Sequence, residues 1–288
     1  MGAPMALRLH RAGYSVCAWN RSAEKTIPLR AIGIATAVTP QLAVQGADIV
    51  ISMLENGAIV NQVFAQVVAA LAPDALVIDM SSTSQAEALD LHQLLGARHI
   101  ACLDAPVSGG VLGAEAGTLA IMAGGTDAAF ARATPLFATL GRATHVGAAG
   151  AGQVAKLCNQ LIVGGTLNII AEALLLAQAA GADPAAVRQA LRGGFAESRI
   201  LEVHGQRMLE RNFIPGGQVK SQAKDMENIL QAAASAGLHL PLAESVRASY
   251  ARILAILPTA DQSAVLLAVE QGNPGRRLGS AVDQLPLN

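Results

Sequence analysis

The pattern of apolar residues changes character once along this chain, near residues 147–152, and that change constrains the fold more than any single residue does. Ahead of it, short apolar runs at 14–19, 48–53, 75–80, 99–103, 118–123 and 143–146 alternate with helix-length stretches at 22–31, 40–45, 59–71, 84–95 and 127–140. Such alternation builds parallel β-α-β units, and runs that are apolar on both sides belong to strands covered by helices on both faces. Beyond the change, the strand signal fades into helical stretches at 153–180, 184–191, 199–209, 222–236 and 242–257. The expected architecture is an α/β domain over 1–150 and an all-helical domain over 151–288 that begins with a long interdomain helix. A tail at 271–288, rich in Gly, Pro and Arg, reads as a loosely held end.

Several function classes are disfavoured. The chain has 288 residues, 52% of them hydrophobic, enough to bury a sizeable core. Its formal charge is −1, and no basic stripe offers itself to a phosphate backbone, so no nucleic-acid partner is expected. Cys17, Cys102 and Cys158 lie far apart with no CxxC pair, which fits a reducing cytoplasm; the dispersed histidines ask for no metal. The apolar stretch 161–181 is interrupted by Asn168, Glu172 and Gln178, which favours a buried helix over a membrane span. The start of the chain lacks a signal-peptide pattern: Arg8, His10 and Arg11 form the polar stripe of a short amphipathic helix that Gly13 ends. A cytoplasmic protein without a membrane partner is expected.

Candidate chemistry gathers at strand ends. A Rossmann-type unit binds a dinucleotide at a glycine-rich turn between its first strand and first helix, and only Gly2 offers a glycine of that kind. The next strand end reads Asn20-Arg21-Ser22 where an acidic residue would grip the ribose of NAD. Asn20 can hydrogen-bond the ribose, and Arg21 with Ser22 can hold a 2′-phosphate, so NADP is expected, with NAD possible. Asn20 and Ser22 can equally cap the following helix. Two further strand ends, Ser52-Met53-Leu54-Glu55-Asn56-Gly57 and Asp79-Met80-Ser81-Ser82-Thr83, run into small or polar residues at the edge where open sheets hold ligands. Taken singly, each is also ordinary turn and capping chemistry.

Asp104-Ala105-Pro106-Val107-Ser108-Gly109-Gly110 places a hydroxyl and exposed amides after a proline, which suits a small carboxylate-bearing substrate; a plain tight turn needs the glycines but not the serine. Lys156 is one of only four lysines and opens a long apolar helix. Apolar surroundings would lower its pKa and let it pass a proton to a substrate oxygen, whereas a solvated lysine at a domain joint is the plain alternative. Asn159 and Gln160, three and four residues on, can orient substrate or lysine. Lys224-Asp225 is either a structural ion pair or a lysine reaching toward the cofactor.

With these motifs in hand the chain resembles the β-hydroxyacid dehydrogenase family, and within it the branch that reduces tartronate semialdehyde (2-hydroxy-3-oxopropionate). The likeness rests on Met1-Gly2-Ala3-Pro4-Met5-Ala6, the run Asp104 to Gly110, Gly117-Thr118-Leu119, Gly150 to Lys156 and Lys224-Asp225. Arg192-Gly193-Gly194, Arg211-Asn212-Phe213-Ile214-Pro215-Gly216 and Thr259-Ala260-Asp261-Gln262-Ser263-Ala264 extend it. It implies a Rossmann domain, a helical C-terminal domain, and hydride transfer between nicotinamide and a 3-hydroxy acid or its aldehyde. Within it Lys156 resembles the catalytic lysine, and Ser108, Gly109 and Gly110 the substrate-carboxylate loop. Thr83 resembles the strand-end residue facing nicotinamide, and Lys224 the lysine near it. Gln160 stands where many relatives have Asn, so the orienting role is shared between Asn159 and Gln160. The resemblance also implies a first strand and earlier glycines ahead of Met1; without them the sheet would lack a central strand.

Other readings stay open: 3-hydroxyisobutyrate, succinic semialdehyde or L-threonate as substrate, or a non-catalytic dinucleotide-binding protein. Lys156 favours carbonyl over imine chemistry, because an imine specialist would more naturally use an acidic or aromatic donor there. The apolar helices of the second half predict a homodimer or homotetramer.

Overall fold

The computed structural model describes residues 1–286 and divides into two units, Met1–Lys156 and Leu157–Asn288. In the first unit, Leu76, Val77 and Ile78 are all fully buried, as an apolar strand covered on both faces requires. Leu76 and Ile78 pack on one face with Met5, Leu9, Leu136 and Phe137, from the helices Gly2–Arg11 and Asp127–Leu140. Val77 packs on the other with Val60, Phe64, Leu91 and Leu95, from the helices Gly57–Val67 and Gln85–Gly96. The period-two alternation of the strand thus sorts its side chains into two helical layers.

The strands are β1 (Cys17–Ala18), β2 (Ala35–Thr36), β3 (Ile49–Ser52), β4 (Leu76–Asp79), β5 (Ala101–Asp104), β6 (Val107–Ser108), β7 (Leu119–Gly125) and β8 (Gly141–Gly147). β3, β4 and β5 run parallel in register, with Ser52, Asp79 and Asp104 side by side at their C-terminal ends. β7 pairs antiparallel with both β5 and β6 and parallel with β8. β1 and β2 form a separate parallel pair.

Three expectations are corrected here. The strands do not form one parallel sheet, because β5 and β6 lie end to end along the same antiparallel neighbour. Pro106, which has no N–H, separates them, although its carbonyl still accepts from Met122 N–H. β2 and β6 were not expected, being too short to show a period. The expected strand at 14–19 contracts to two residues, paired only with β2.

The second unit is helical, apart from isolated β-bridges. The helix Ala151–Ala179 is continuous through the division between the units and is long and apolar enough, by composition alone, to cross a membrane. Its Leu167, Ala171 and Leu174 are buried in a core with Met226, Ile229, Val246, Tyr250 and Ile253, from the helices Val219–Ser235 and Pro241–Leu254. Asn168, one of its polar interruptions, is buried and donates to the Gly164 carbonyl.

The tail is not loosely held over its described part. Arg211, with only 1% of its side chain exposed, forms a two-pronged pair with Glu270 at 2.7 and 3.0 Å, pairs with Asp283, and donates to the Leu278 carbonyl. Gln284 bridges to Asn212, and Leu278 is buried. A buried guanidinium needs such partners, and finding them in the tail pins residues 278–284. Leu287 and Asn288 lie outside the described residues.

Candidate active site

The C-terminal ends of β3 and β4 are cross-linked by buried polar groups. Ser52 Oγ donates to Asp79 Oδ1 at 2.7 Å, Ser81 N–H donates to the same oxygen at 3.1 Å, and Leu54 N–H donates to Ser81 Oγ at 2.8 Å. This holds the Met53-Leu54 and Ser81–Thr83 turns against each other. Burial pushes the Asp79 carboxyl above its ordinary value, opposed by the hydrogen bonds from Ser81 and Ser52, while neighbouring Asp104 adds repulsion. Thr83 is buried; its hydroxyl donates to the Ser84 carbonyl. Ser84 and Glu87 form a reciprocal capping box that starts the Gln85–Gly96 helix immediately afterwards.

Asp104, at the end of β5, caps the long helix from a distance in sequence. Its Oδ1 accepts from Gly150 N–H at 2.8 Å and its Oδ2 from Gln153 N–H at 2.9 Å, which satisfies amides that a helix start leaves open. His92 Nε2 lies 3.1 Å from Oδ1. Gly152 is required here: a Cβ would stand 2.1 Å from the Asp104 carbonyl oxygen. Gln153, fully buried, accepts from Thr83 N–H at 3.1 Å and donates to the Ser81 carbonyl at 2.9 Å. Lys156 follows on the same helix, half-buried.

Ser108 belongs to β6, in register with Ala120, and Gly109 and Gly110 follow with φ of +133° and +65° into the helix Gly110–Ala116. These left-handed angles favour glycine, and both glycines are exposed. At the end of β1, Asn20 Oδ1 accepts from Ser22 N–H at 2.9 Å, while the Ser22 hydroxyl makes no cap bond. Of the two expected capping residues, only Asn20 shapes the turn. Arg21 is exposed. Gly2 begins the first helix, which has no side-chain cap, and a Cβ there would meet Met53 only at an ordinary 3.7 Å.

In the second unit, Asn159 donates to Gln160 Oε1 at 2.8 Å, and Gln160 Nε2 lies 3.1 Å from Gln222 Oε1 and 2.7 Å from Asp225 Oδ2. Lys224 pairs with Asp225 at 3.3 Å, so the expected ion pair forms. The structure thus brings Met53-Leu54 together with the Ser81–Thr83 turn, and Asn159 and Gln160 together with Asp225 and its partner Lys224. The Asn20–Ser22 turn is held by its own Asn20 bond and is not part of the Ser52, Asp79 and Ser81 network. Sequence reasoning missed Ser52, Asp79, Ser81, Asp104, Gln153 and Gln222 as the polar groups that hold these turns. A polar residue ending an apolar run was the available signal for the first four.

A core of parallel strands with helices on both faces and polar turns at its strand ends is the Rossmann-type arrangement, in which ligands such as dinucleotides bind beyond the C-terminal ends of the strands. Residues 1–182 match the family described as the NAD binding domain of 6-phosphogluconate dehydrogenase, and residues 150–269 that described as the NAD-binding of NADP-dependent 3-hydroxyisobutyrate dehydrogenase. The chain is 42% identical over 247 residues to the 2-hydroxy-3-oxopropionate reductase of Escherichia coli, covering 84% of each chain. It is 35% identical over 276 residues to a probable 3-hydroxyisobutyrate dehydrogenase of Mycobacterium bovis, covering 92% of this chain and 93% of that one. The solved structure of 3-hydroxyisobutyrate dehydrogenase from Mycobacterium tuberculosis, with L-serine, superposes with a TM-score of 0.85 at 33% identity, covering 93% of this chain and 95% of that one. The chain belongs to the β-hydroxyacid dehydrogenase family, the 3-hydroxyisobutyrate dehydrogenase-like proteins.

Proposed function

We propose that this protein is an NADP(H)-linked 2-hydroxy-3-oxopropionate reductase, converting tartronate semialdehyde to glycerate. The observation that carries the reading is the 42% identity to the Escherichia coli enzyme of that name over 84% of both chains. The coarser statement, an NAD(P)-dependent oxidoreductase for a small hydroxy acid or semialdehyde, rests on the whole family match.

The donor set suits a dinucleotide. Gly2 starts a helix with no side-chain cap, and Arg21 lies exposed beside an Asn20 turn that carries no carboxylate. Bound there, nicotinamide would supply or accept the hydride. Gly2, Asn20, Arg21, Ser22, Met53, Leu54 and Thr83 are assigned to holding it, and Lys224 is assigned a place near its ring. Arg21 favours the 2′-phosphate of NADP. Ser108, Gly109 and Gly110 would hold the substrate carboxylate, with Asn159 and Gln160 orienting the substrate. Lys156 would donate its proton to the carbonyl oxygen as the carbon is reduced, and recover it from that hydroxyl in the reverse direction.

The experiment is a steady-state screen of tartronate semialdehyde, succinic semialdehyde, methylmalonate semialdehyde, 3-hydroxyisobutyrate, glycerate and L-threonate with both cofactors, on the wild type and Lys156→Ala. Tartronate semialdehyde with NADPH should give the highest kcat/KM, and Lys156→Ala should lose roughly 10²-fold or more in turnover. A 3-hydroxyisobutyrate optimum, the second reading, would accord with the Mycobacterium relatives. Inactivity throughout would favour a binding protein.

A homodimer or homotetramer is also proposed. Ile162, Ile169 and Leu176 are exposed at seven-residue spacing on the long helix, with Thr166 and Ala173 between them. That spacing makes a seam suited to another helix.

A further inference from the structure

Gln153 binds two backbone groups of the turn after β4 at once. Its Oε1 accepts from Thr83 N–H at 3.1 Å and its Nε2 donates to the Ser81 carbonyl at 2.9 Å. Only one orientation of the amide satisfies both partners, because Thr83 presents a donor and Ser81 an acceptor. The side chain is completely buried, so water cannot take over either bond. Gln153 also stands three residues before Lys156 on one continuous helix, a spacing that puts the two on neighbouring parts of the same face.

The clamp is tied down at both ends. The backbone N–H of Gln153 is held by Asp104 Oδ2 at the end of β5, and Gly150 N–H is held by Asp104 Oδ1. Gly152 lets the helix approach that strand end with no side chain between them. On the other side, Ser81 is bonded to Leu54 and to Asp79, so the turn that Gln153 grips is itself fixed to β3 and β4. The start of the Lys156 helix and the turn carrying Thr83 therefore have little freedom to shift against each other while the amide is in place.

We infer that Gln153 is a positioning residue: its amide sets the register between the helix carrying Lys156 and the turn carrying Thr83, and so the placement of the proton donor relative to the carbon that takes the hydride. The inference rests on the proton-donor role proposed for Lys156. Gln153 touches neither substrate nor cofactor in this account, and its effect falls on turnover more than on binding.

The test is a kinetic double-mutant cycle with Gln153→Ala, Lys156→Ala and the double variant, each checked for folding by its melting temperature. Gln153→Ala should lower kcat on the order of tenfold or more while KM for substrate and cofactor stays within about threefold. In the Lys156→Ala background the same substitution should change kcat by less than about twofold, because a register that serves Lys156 has nothing left to serve.

Gln153→Glu supplies the second arm and carries the test if the alanine variant does not fold. A protonated glutamic acid can both donate to Ser81 and accept from Thr83, whereas the carboxylate cannot donate. The ratio of variant to wild-type kcat should therefore rise as pH is lowered. Equal losses in the presence and absence of Lys156, a loss confined to KM, or a kcat for Gln153→Glu that stays as low as that of Gln153→Ala at every pH would overturn the inference while leaving Lys156 in its role. Normal turnover of Lys156→Ala would remove the proton-donor reading and the inference with it.

Discussion

Asp79 at the end of β4 and Asp261 in the second unit are both buried carboxylates at the ends of structural elements, yet their surroundings push them in opposite directions. Ser52 Oγ and Ser81 N–H both donate to Asp79 Oδ1, and among the described residues its buried Oδ2 has no hydrogen-bond partner. Burial therefore prevails, with Asp104 in register on the next strand adding repulsion, and the carboxyl is raised. Burial opposes the charge of Asp261 too. Hydrogen bonds from His204 and Ser263 outweigh it, however, and its other oxygen accepts from Gly216 and Gly217 N–H at 3.0 and 3.2 Å. The result lies well below the ordinary carboxylate range. Donors that reach both oxygens, set against the depth of burial, decide the state of a buried acid.

The substitution expected to matter most for stability is Asp261→Asn. An amide leaves one oxygen for five donors and turns an NH₂ toward one set of them, so unfolding free energy in urea should fall by roughly 3–5 kcal/mol. A loss under about 1 kcal/mol would mean that these bonds do not distinguish the two acids. Asp104 has both oxygens engaged, by Gly150, Gln153 and His92. Asp104→Asn should cost about 2 kcal/mol, from charge-assisted bonds lost at the helix start.

The pH dependence sharpens the contrast. Because the folded value of Asp261 is depressed, its contribution is complete above the ordinary aspartate value of about 4 and is lost as pH falls below it. The difference in stability between wild type and Asp261→Asn should shrink in that acid range. Asp79 has the opposite sign: its folded value is raised, so its contribution is present below about pH 4 and is lost as pH rises through the folded value. Asp79→Asn should accordingly cost less than about 1 kcal/mol at pH 7 and become relatively more favourable from pH 4 upward. Urea melts at four or five pH values would check both signs, and parallel curves for the two variants would break the comparison.

Much of the site was legible as places, less as partnerships. Apolar runs ending in Ser52, Asp79 and Asp104 marked the strand ends, and Lys156 stood out as a rare lysine in an apolar helix. Ser108 was legible as a polar residue beside two glycines but not as part of β6, since two residues are too few to display a period. Gln153 was visible as the first residue of an expected helix and as part of the Gly150 to Lys156 run, but not as a clamp. Nothing local marks a glutamine whose partners are 70 and 72 residues away. The tail was misjudged for the same reason: its Gly and Pro content describes its own flexibility, while Arg211, which holds it, lies 59 residues before Glu270 and 72 before Asp283.

The amino-acid sequence by itself determined the division into an α/β part and a helical part, the main strands of the larger sheet, and the helix starts at Asn56, Ser84 and Thr126, whose side chains each bond an amide three residues on. These features depend on periodicity and on bonds within a single turn, which neighbouring residues specify alone. Tertiary structure decided the antiparallel placement of β7, the capping of the long helix by Asp104, the clamp of Gln153 on the Ser81–Thr83 turn and the opposite states of Asp79 and Asp261. In each case a polar group excluded from water must take whatever partner the packed chain brings within about 3 Å, and packing brings together residues that no local pattern connects.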